Sequence, residues 1–253
     1  MNLTKSQVSL KLSKPFLAAA FLAAVVVWWL APPSGLLFAR TRAPLPPQAQ
    51  QAQAQRYAPA EVISASDVQF PLQSPADDIV VFEVSINARG DVAGMNLLRD
   101  APLLAGAAET SLRTWKFKPA MVNGAPQDSK MLVAFAFKHA VKMASPPAFA
   151  PIFPTKESDT QSGWTMPGIL SATFAEYPAS TIASGATVLQ LSLDSSGAVA
   201  DVATIRDLPG DFIALAARAA KQWEFQPGML DGRPIDSKIA VAFVFSSRAL
   251  NPF

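Results

Sequence analysis

The chain has 253 residues, half of them hydrophobic and 16% charged, which excludes a chain that is disordered throughout. Cysteine is absent, and this excludes disulfides, thiol catalysis, thiolate zinc sites and a lipid anchor on an N-terminal cysteine. The formal net charge of +2 conceals a basic N-terminal end: residues 1–60 hold six basic residues and no acidic one, which indicates a membrane-flanking segment and not a nucleic-acid surface.

The first predicted element is an uncharged run of 17 residues, PFLAAAFLAAVVVWWLA, at positions 15–31. As a helix it would be about 25 Å long, at the short end of a membrane span. Its large apolar members are Phe16, Leu17, Phe21, Leu22, Val25, Val26, Val27, Trp28, Trp29 and Leu30. We predict a transmembrane anchor over 15–31 after a cytoplasmic N-terminus over 1–14. A cleaved signal peptide is the alternative, but the tryptophan pair and the length of the run favour an anchor.

Residues 32–66 follow as a predicted spacer. The segment is rich in Pro, Gln and Ala and poor in large apolar side chains, as in APLPPQAQQAQAQRYAPA. Such a composition buries too little surface to offset the entropy of ordering the chain. The segment therefore predicts a tether, with a reach of roughly 90 Å as polyproline II and nearer 30 Å as a flexible coil.

An internal duplication is the most informative feature of the sequence. Trp115–Lys130 recurs as Trp223–Lys238, and with the seven residues that follow each copy, 13 of 23 aligned positions are identical at an offset of 108. Upstream, Arg99 and Asp100 match Arg206 and Asp207 at an offset of 107. A period this long predicts two domains in tandem and not a solenoid. We assign them to 67–142 and 171–253, with a Pro-rich linker over 143–170.

Each repeat predicts the same order of elements. Period-two alternation at 79–87 and 188–194 predicts a first strand, and a turn containing glycine leads to a second strand at about 92–99 and 199–206. An apolar helical stripe, a proline-terminated turn and a final strand (MLVAFAF or IAVAFVF) follow. The predicted fold class is α+β: two tandem small β-β-α-β domains, each a three-stranded antiparallel sheet with a helix on one face, after a single transmembrane helix. Each sheet would leave one edge with unpaired backbone groups.

The ordered combination of these motifs, present twice, resembles the C-terminal domain of TonB. The second copy carries the resemblance in Tyr177-Pro178, Gly197, Trp223, Phe225, Pro227, Gly232, Pro234, Val241, Phe243 and Phe245, and the first in Phe70-Pro71, Gly90, Trp115, Phe117, Pro119, Gly124, Pro126, Val133, Phe135 and Phe137. The resemblance covers roughly 67–140 and 171–247. The N-terminal anchor and the Pro-rich spacer also match the layout of that family.

The resemblance implies an energy transducer in the inner membrane, single-pass, with a cytoplasmic N-terminus and periplasmic C-terminal domains. Its implied partners are inner-membrane proton-channel subunits and outer-membrane TonB-dependent receptors, from which a peptide is captured as an added strand during transmembrane transport of large or scarce nutrients. The implied partner-binding edge comprises Lys238, Ile239, Ala240, Val241, Ala242, Phe243, Val244 and Phe245, with Lys130, Met131, Leu132, Val133, Ala134 and Phe135 in the first repeat. A membrane-tethered binding or scaffold module without energy coupling is the alternative, favoured by the absence of histidine from the anchor.

Catalytic interpretations of the remaining motifs are weaker than structural ones. Trp115 and Trp223, each at the end of a helix beside Phe and Pro, are typical of core packing. The two Asp-Ser-Lys triplets follow turns and indicate turn chemistry. His139 is the only histidine and makes neither a triad nor a metal site by itself. We therefore predict no enzyme, no metal, no cofactor and no nucleic-acid partner.

Overall fold

A computed structural model describes residues 57–71, 74, 77–141, 147–153 and 163–247. The predicted cytoplasmic N-terminus, the predicted anchor and residues 32–56 of the predicted spacer lie outside the described residues. Within the described ranges, no helix is long and apolar enough to cross a membrane.

The described part of the chain forms sixteen strands and two helices, and the two repeats contain the same elements in the same order. In repeat 1 these are β1 (Tyr57–Ala58), β2 (Glu61–Ser64), β3 (Asp78–Ile86), β4 (Val92–Arg99), α1 (Ala105–Leu112), β5 (Lys116–Lys118), β6 (Ala120–Val122), β7 (Ala125–Gln127) and β8 (Ser129–His139). In repeat 2 they are β9 (Trp164–Thr165), β10 (Gly168–Ser171), β11 (Gly185–Leu193), β12 (Val199–Arg206), α2 (Phe212–Ala220), β13 (Glu224–Gln226), β14 (Gly228–Leu230), β15 (Arg233–Ile235) and β16 (Ser237–Ser246).

The main sheet has six strands in the order β12-β11-β16-β8-β3-β4. Each repeat contributes three antiparallel strands and one helix, so the predicted α+β class and the order of elements in each repeat are confirmed. The expectation of two separate sheets is wrong, because β16 and β8 pair in parallel and join the halves into one sheet. The physical reason is that two last strands, each with one unpaired edge, satisfy their backbone groups by pairing with each other.

The two helices cover opposite faces of this sheet. Alternate residues of β3 show this, because Val80 and Phe82 lie in the apolar cluster that contains the buried residues of α1. Ile79 and Val81 lie in the other cluster, with the buried residues of α2. Strands buried on both faces need apolar side chains at every position, which explains why the last strand of each repeat shows no polar alternation.

Each repeat also covers part of the other one. Val62 and Val68, which precede β3, pack in the same cluster as Val188 of β11, so the start of repeat 1 lies on the half of the sheet that repeat 2 provides. Ile152, Trp164 and Met166 correspondingly pack in the cluster that contains Leu132 and Ala134 of β8. The two cores are therefore shared between the repeats.

The repeats extend further towards the N-terminus than the sequence indicated. Residues 57–66 of the expected spacer include β1 and β2, which pair with β6 and β5. Residues 163–170 of the expected linker include β9 and most of β10, which pair with β14 and β13. Tyr57 and Trp164, which are equivalent at the offset of 107, meet with their ring centroids 6.3 Å apart. Strands of only two to four residues are too short to show a hydrophobic alternation in the sequence.

Glu61 of β2 ties the start of repeat 1 to the last strand of repeat 2. Its carboxylate accepts hydrogen bonds from Lys238 at 2.6 Å and from Lys118 at 3.2 Å. The bond from Lys238, followed by the bond from Lys118 and the charges of both lysines, lowers the pKa of Glu61 below its ordinary value of 4.5 against the opposing effect of burial. A carboxyl whose pKa is lower in the folded chain stabilises the fold above its unfolded pKa, and this contribution is lost as the pH falls through the folded pKa.

Glu61→Gln is expected to lower the free energy of unfolding at neutral pH by less than about 1 kcal/mol, because the pair is partly exposed. The difference from the wild type should vanish in acid, below the lowered pKa of Glu61. Urea unfolding at the two pH values measures it, with the exposed Glu176→Gln as the control. A difference that is unchanged in acid would show that the ion pairs do not contribute.

Two glycines in hairpin turns of repeat 1 differ in how closely other atoms approach them. Gly90 has φ +85°, and a Cβ there would lie 1.9 Å from the carbonyl oxygen of Phe117. Gly124 has φ +83°, but a Cβ there would meet nothing within 4 Å. An alanine at either position would have to adopt an unfavourable left-handed backbone conformation. Only the alanine at position 90 would also clash with Phe117.

Gly124→Ala is expected to lower the free energy of unfolding by roughly 1–2 kcal/mol through its left-handed backbone alone. Gly90→Ala should cost roughly 1–3 kcal/mol more, since Phe117 must also move. Thermal or urea unfolding of both variants measures the difference. Equal costs would contradict the close approach of the β3–β4 turn to β5.

Candidate functional site: the strand edges of the sheet

The strands expected to offer an open edge lie at the centre of the sheet. Val133–His139 of β8 pair with Ala240–Ser246 of β16, and we call these seven residue pairs the seam. On their other sides, β8 pairs with β3 and β16 pairs with β11. The expected open edge at Val133, Ala134, Phe135, Ala240, Val241, Ala242, Phe243, Val244 and Phe245 is therefore occupied by the other repeat, because both faces and both edges of these strands are covered.

Opening the seam would expose both cores. Ala242 and Val244 belong to the cluster on the α1 side, and Val241, Phe243 and Phe245 belong to the cluster on the α2 side. Each large side chain that loses its cover costs roughly 1.5–3 kcal/mol. The sum over both strands is comparable to the whole stability of a typical domain, about 5–15 kcal/mol. A short peptide would therefore not displace β8 or β16 from their pairing with each other.

The expected site residues that precede the seam are also held inside the structure. Lys130 places its Nζ 3.0 Å from Glu83 Oε1 on the neighbouring strand, and Lys238 donates to Glu61. Met131, Leu132 and Ile239 are buried in the two clusters. The described contacts of these residues stabilise the fold, and their part in binding a partner stays a prediction.

The residues considered for catalysis occupy structural positions. Trp115 is buried and donates its indole N–H to Ser111 Oγ at 3.1 Å, and the indole of Trp223 donates to the carbonyl oxygen of Thr173 at 2.9 Å. Asp128 of the first Asp-Ser-Lys triplet accepts from the backbone N–H of Ala88 at 2.8 Å. Core packing is confirmed for the two tryptophans, and Asp128 binds the backbone of the turn between β3 and β4.

His139 forms a buried polar cluster at the end of the seam that sequence reasoning did not find. Its Nδ1 lies 2.9 Å from Asp77 Oδ1, and the other carboxylate oxygen of Asp77 accepts from Lys138 at 2.6 Å. Beside it, the backbone N–H of Ala140 donates to the carbonyl oxygen of Ser246 at 2.8 Å. Across the ranges given above, no three His, Cys, Asp or Glu side chains are grouped to hold a metal ion. The cluster ties the end of β8 to the residue before β3, and the backbone bond of Ala140 continues the pairing with β16.

The free edges of the six-stranded sheet are its outer strands, β4 and β12. Among the described residues, no backbone group beyond the sheet bonds to either strand. Both strands carry two bulges, at Ala93 and Leu98 in β4 and at the equivalent positions of β12. The bulges leave a regular run of four residues on each strand, Gly94–Leu97 and Asp201–Thr204. Because bulges twist an edge, only this short middle part suits the addition of a further strand.

The sequence analysis does not predict these outer edges as a site, because the family resemblance points to the last strand of each repeat. The signal that could have indicated β4 is its composition, since VAGMNLL at 92–98 contains no charged residue. Edges without charges are rare in proteins that avoid association.

A comparison with protein-family models matches the chain twice to one family, the Gram-negative bacterial TonB protein C-terminal domain, at residues 75–139 and 175–246. The two segments cover just over half of the chain and coincide with the two repeats. No match was found among curated proteins or among solved structures. Domains of this family are non-catalytic binding modules of envelope transport. The chain therefore belongs to the TonB C-terminal domain family, of which it carries two copies in tandem.

Proposed function

We propose that this chain is a TonB-like energy transducer, which links a proton-driven complex of the inner membrane to outer-membrane receptors. The observation that carries the proposal is the family match over both repeats, since domains of this family typically bind TonB-dependent outer-membrane receptors. The uncharged run at 15–31 and the Pro-rich segment after it support it, because a transducer needs an anchor and a tether. In this arrangement both repeats lie in the periplasm.

The receptor segment binds by strand addition to the sheet. Backbone hydrogen bonds along an edge give affinity, and side chains at alternate positions give specificity. Because both neighbours of β8 and β16 are already strands of the sheet, the receptor segment adds at an outer strand and not at the seam.

The geometry near Tyr57 suits the transmission of a pulling force. Tyr57 packs against both apolar clusters as well as against Trp164. A pull on the tether at this point acts on the two repeats together. The shared cores then resist separation of the repeats, because moving either repeat away would expose buried apolar side chains of the other.

A membrane-tethered scaffold without energy coupling is the second candidate. The observation that favours it is the run at 15–31, which contains no titratable side chain. Ionisable groups within the membrane commonly mark proton pathways. The scaffold would use the same strand edges and would need no contact with channel subunits.

Photocrosslinking in cells from position 22 separates the two candidates. With a photoreactive residue in place of Leu22, the transducer is expected to crosslink to proton-channel subunits, identified by mass spectrometry. Positions 23 and 24 lie about 100° and about 200° around the predicted helix from position 22, so they sample its other faces and serve as comparisons. Crosslinks to lipid or to the chain itself at all three positions would contradict energy coupling and favour the scaffold.

A disulfide across the seam tests whether binding requires it to open. The chain has no cysteine of its own, so Ala134→Cys with Val241→Cys, which are paired residues, introduces one defined bond. We expect the oxidised full-length chain to bind purified outer-membrane receptors of the same cell as tightly as the reduced chain. Surface plasmon resonance with and without reductant measures this, and Ala134→Cys alone is the control. Loss of binding on oxidation would place the receptor segment in an opened seam.

A further inference from the structure

The two outer strands can be compared directly, because they share their fold and their bulges, whereas all four residues of the regular run differ: GMNL in β4 and DVAT in β12. At the offset of 107, Gly94 of β4 corresponds to Asp201 of β12, and Leu97 corresponds to Thr204. The regular run of β4 therefore lacks a charge and carries an additional large apolar side chain. We propose that the edge of β4, and not that of β12, binds a short, extended, uncharged segment of a partner protein. This rests on the proposed function for binding by strand addition.

The absence of charge on β4 is the first step of the argument. An exposed edge invites pairing with other chains, and proteins commonly block it with charged side chains. β12 has Asp201, an exposed carboxylate, within its regular run. The equivalent Gly94 places no side chain there, and the run of β4 contains no other charge. An incoming uncharged strand would strip water from a carboxylate on β12 and from no charge on β4.

Leu97 supplies an apolar contact at this edge. It pairs with Phe82, which belongs to the α1 cluster, so its side chain lies on the α1 side of the sheet. It is nevertheless 39% exposed, whereas Met95, on the same side, packs against that cluster. A strand added outside β4 would place its own alternate side chains beside Leu97. The equivalent Thr204 offers a smaller and more polar surface.

Leu103 is a second unexplained leucine at the same end of the sheet. Its φ is 72°, a backbone region that disfavours side chains with a Cβ, and the equivalent residue of repeat 2 is Gly210 with φ 110°. The side chain of Leu103 is 59% exposed, while the next residue, Leu104, is buried in the α1 cluster. This exposed side chain contributes little burial to folding, whereas its left-handed backbone conformation is unfavourable for a residue with a Cβ. Strain retained without a packing benefit is typical of positions that serve binding.

The shape of the edge defines its occupant. The regular run is four residues long, so the bound segment pairs over about that length. A flexible segment can follow the twist that the bulges impose, whereas the edge of a second folded copy would need a longer flat run. The uncharged run offers no partner for a charged side chain. The fitting occupant is therefore a short uncharged segment of a partner protein with apolar side chains at alternate positions.

The test uses the full-length chain in detergent micelles and one defined probe. The probe is a fluorescein-labelled, end-capped peptide of alternating threonine and valine, about eight residues long, and its affinity is measured by fluorescence anisotropy. Gly94→Asp and Leu97→Thr, which copy the residues of repeat 2, should each weaken binding about tenfold or more. A Cβ at Gly94 would approach Ser85 no closer than 3.8 Å, so the aspartate fits without disturbing the sheet. Asp201→Asn and Thr204→Ala in β12 are the matched controls, and they should leave the affinity unchanged.

A second measurement, which does not depend on the variants, identifies the strand to which the probe binds. Hydrogen–deuterium exchange should show protection by the probe at 92–99 and none at 199–206. A probe in which lysine replaces one threonine should recover part of its affinity for Gly94→Asp, which a merely unfolded variant would not show. Absence of binding, protection at β12 or at the seam, or equal losses from the β12 variants would overturn the proposal. Sedimentation showing dimers that Leu97→Thr dissociates would instead assign the edge to a second copy and overturn it too.

The outcome is separable from that of the proposed function. The crosslinks from position 22 report contacts within the membrane and do not depend on β4. Probe binding at β4 without those crosslinks would retain this site and reject energy coupling. Channel crosslinks without probe binding would retain the transducer and reject β4.

Discussion

The parallel pairing of β8 with β16 is the interaction on which the rest of the structure depends. Each repeat alone would be a three-stranded sheet with its last strand open along one edge. Seven residue pairs join these two strands and convert both into central strands. Because they then lie between two faces, their central residues Met131–Phe137 and Ile239–Phe245 are all apolar, and the two helices cover opposite sides. The arrangement resembles a symmetric dimer whose subunits have been fused into one chain.

The fusion also makes the repeats depend on each other for burial. The segment before β3 covers strands of repeat 2, and the segment before β11 covers strands of repeat 1. Glu61 adds a polar contact of the same kind by binding Lys238. The two repeats therefore form one body whose parts support each other. For a protein that would transmit force, this is a mechanical advantage, since no weak joint separates the repeats among the described residues.

The two exposed edges of the sheet differ in their side chains. The seam removes the two last strands from competition for partners and leaves β4 and β12 as the exposed edges. β12 carries a charge at Asp201, which discourages pairing, while the regular run of β4 has none, and repeat 1 has Leu97 and Leu103 where repeat 2 has Thr204 and Gly210. The edges of β4 and β12 have the same backbone geometry, so the proposed difference in their binding depends on their side chains alone.

The sequence by itself determined the repeat, the order of strands and helix in each copy, the burial of Trp115 and Trp223, and the family. These features follow from local periodicity, turn residues and spacing, which are properties of neighbouring residues. The tertiary structure alone decided which edges are open. Pairing of β8 with β16 depends on contacts between residues more than a hundred positions apart, and the pattern MLVAFAF is equally compatible with an edge covered by a partner and one covered by the second repeat. Backbone hydrogen bonding has no side-chain signature, so the sequence could not choose between them.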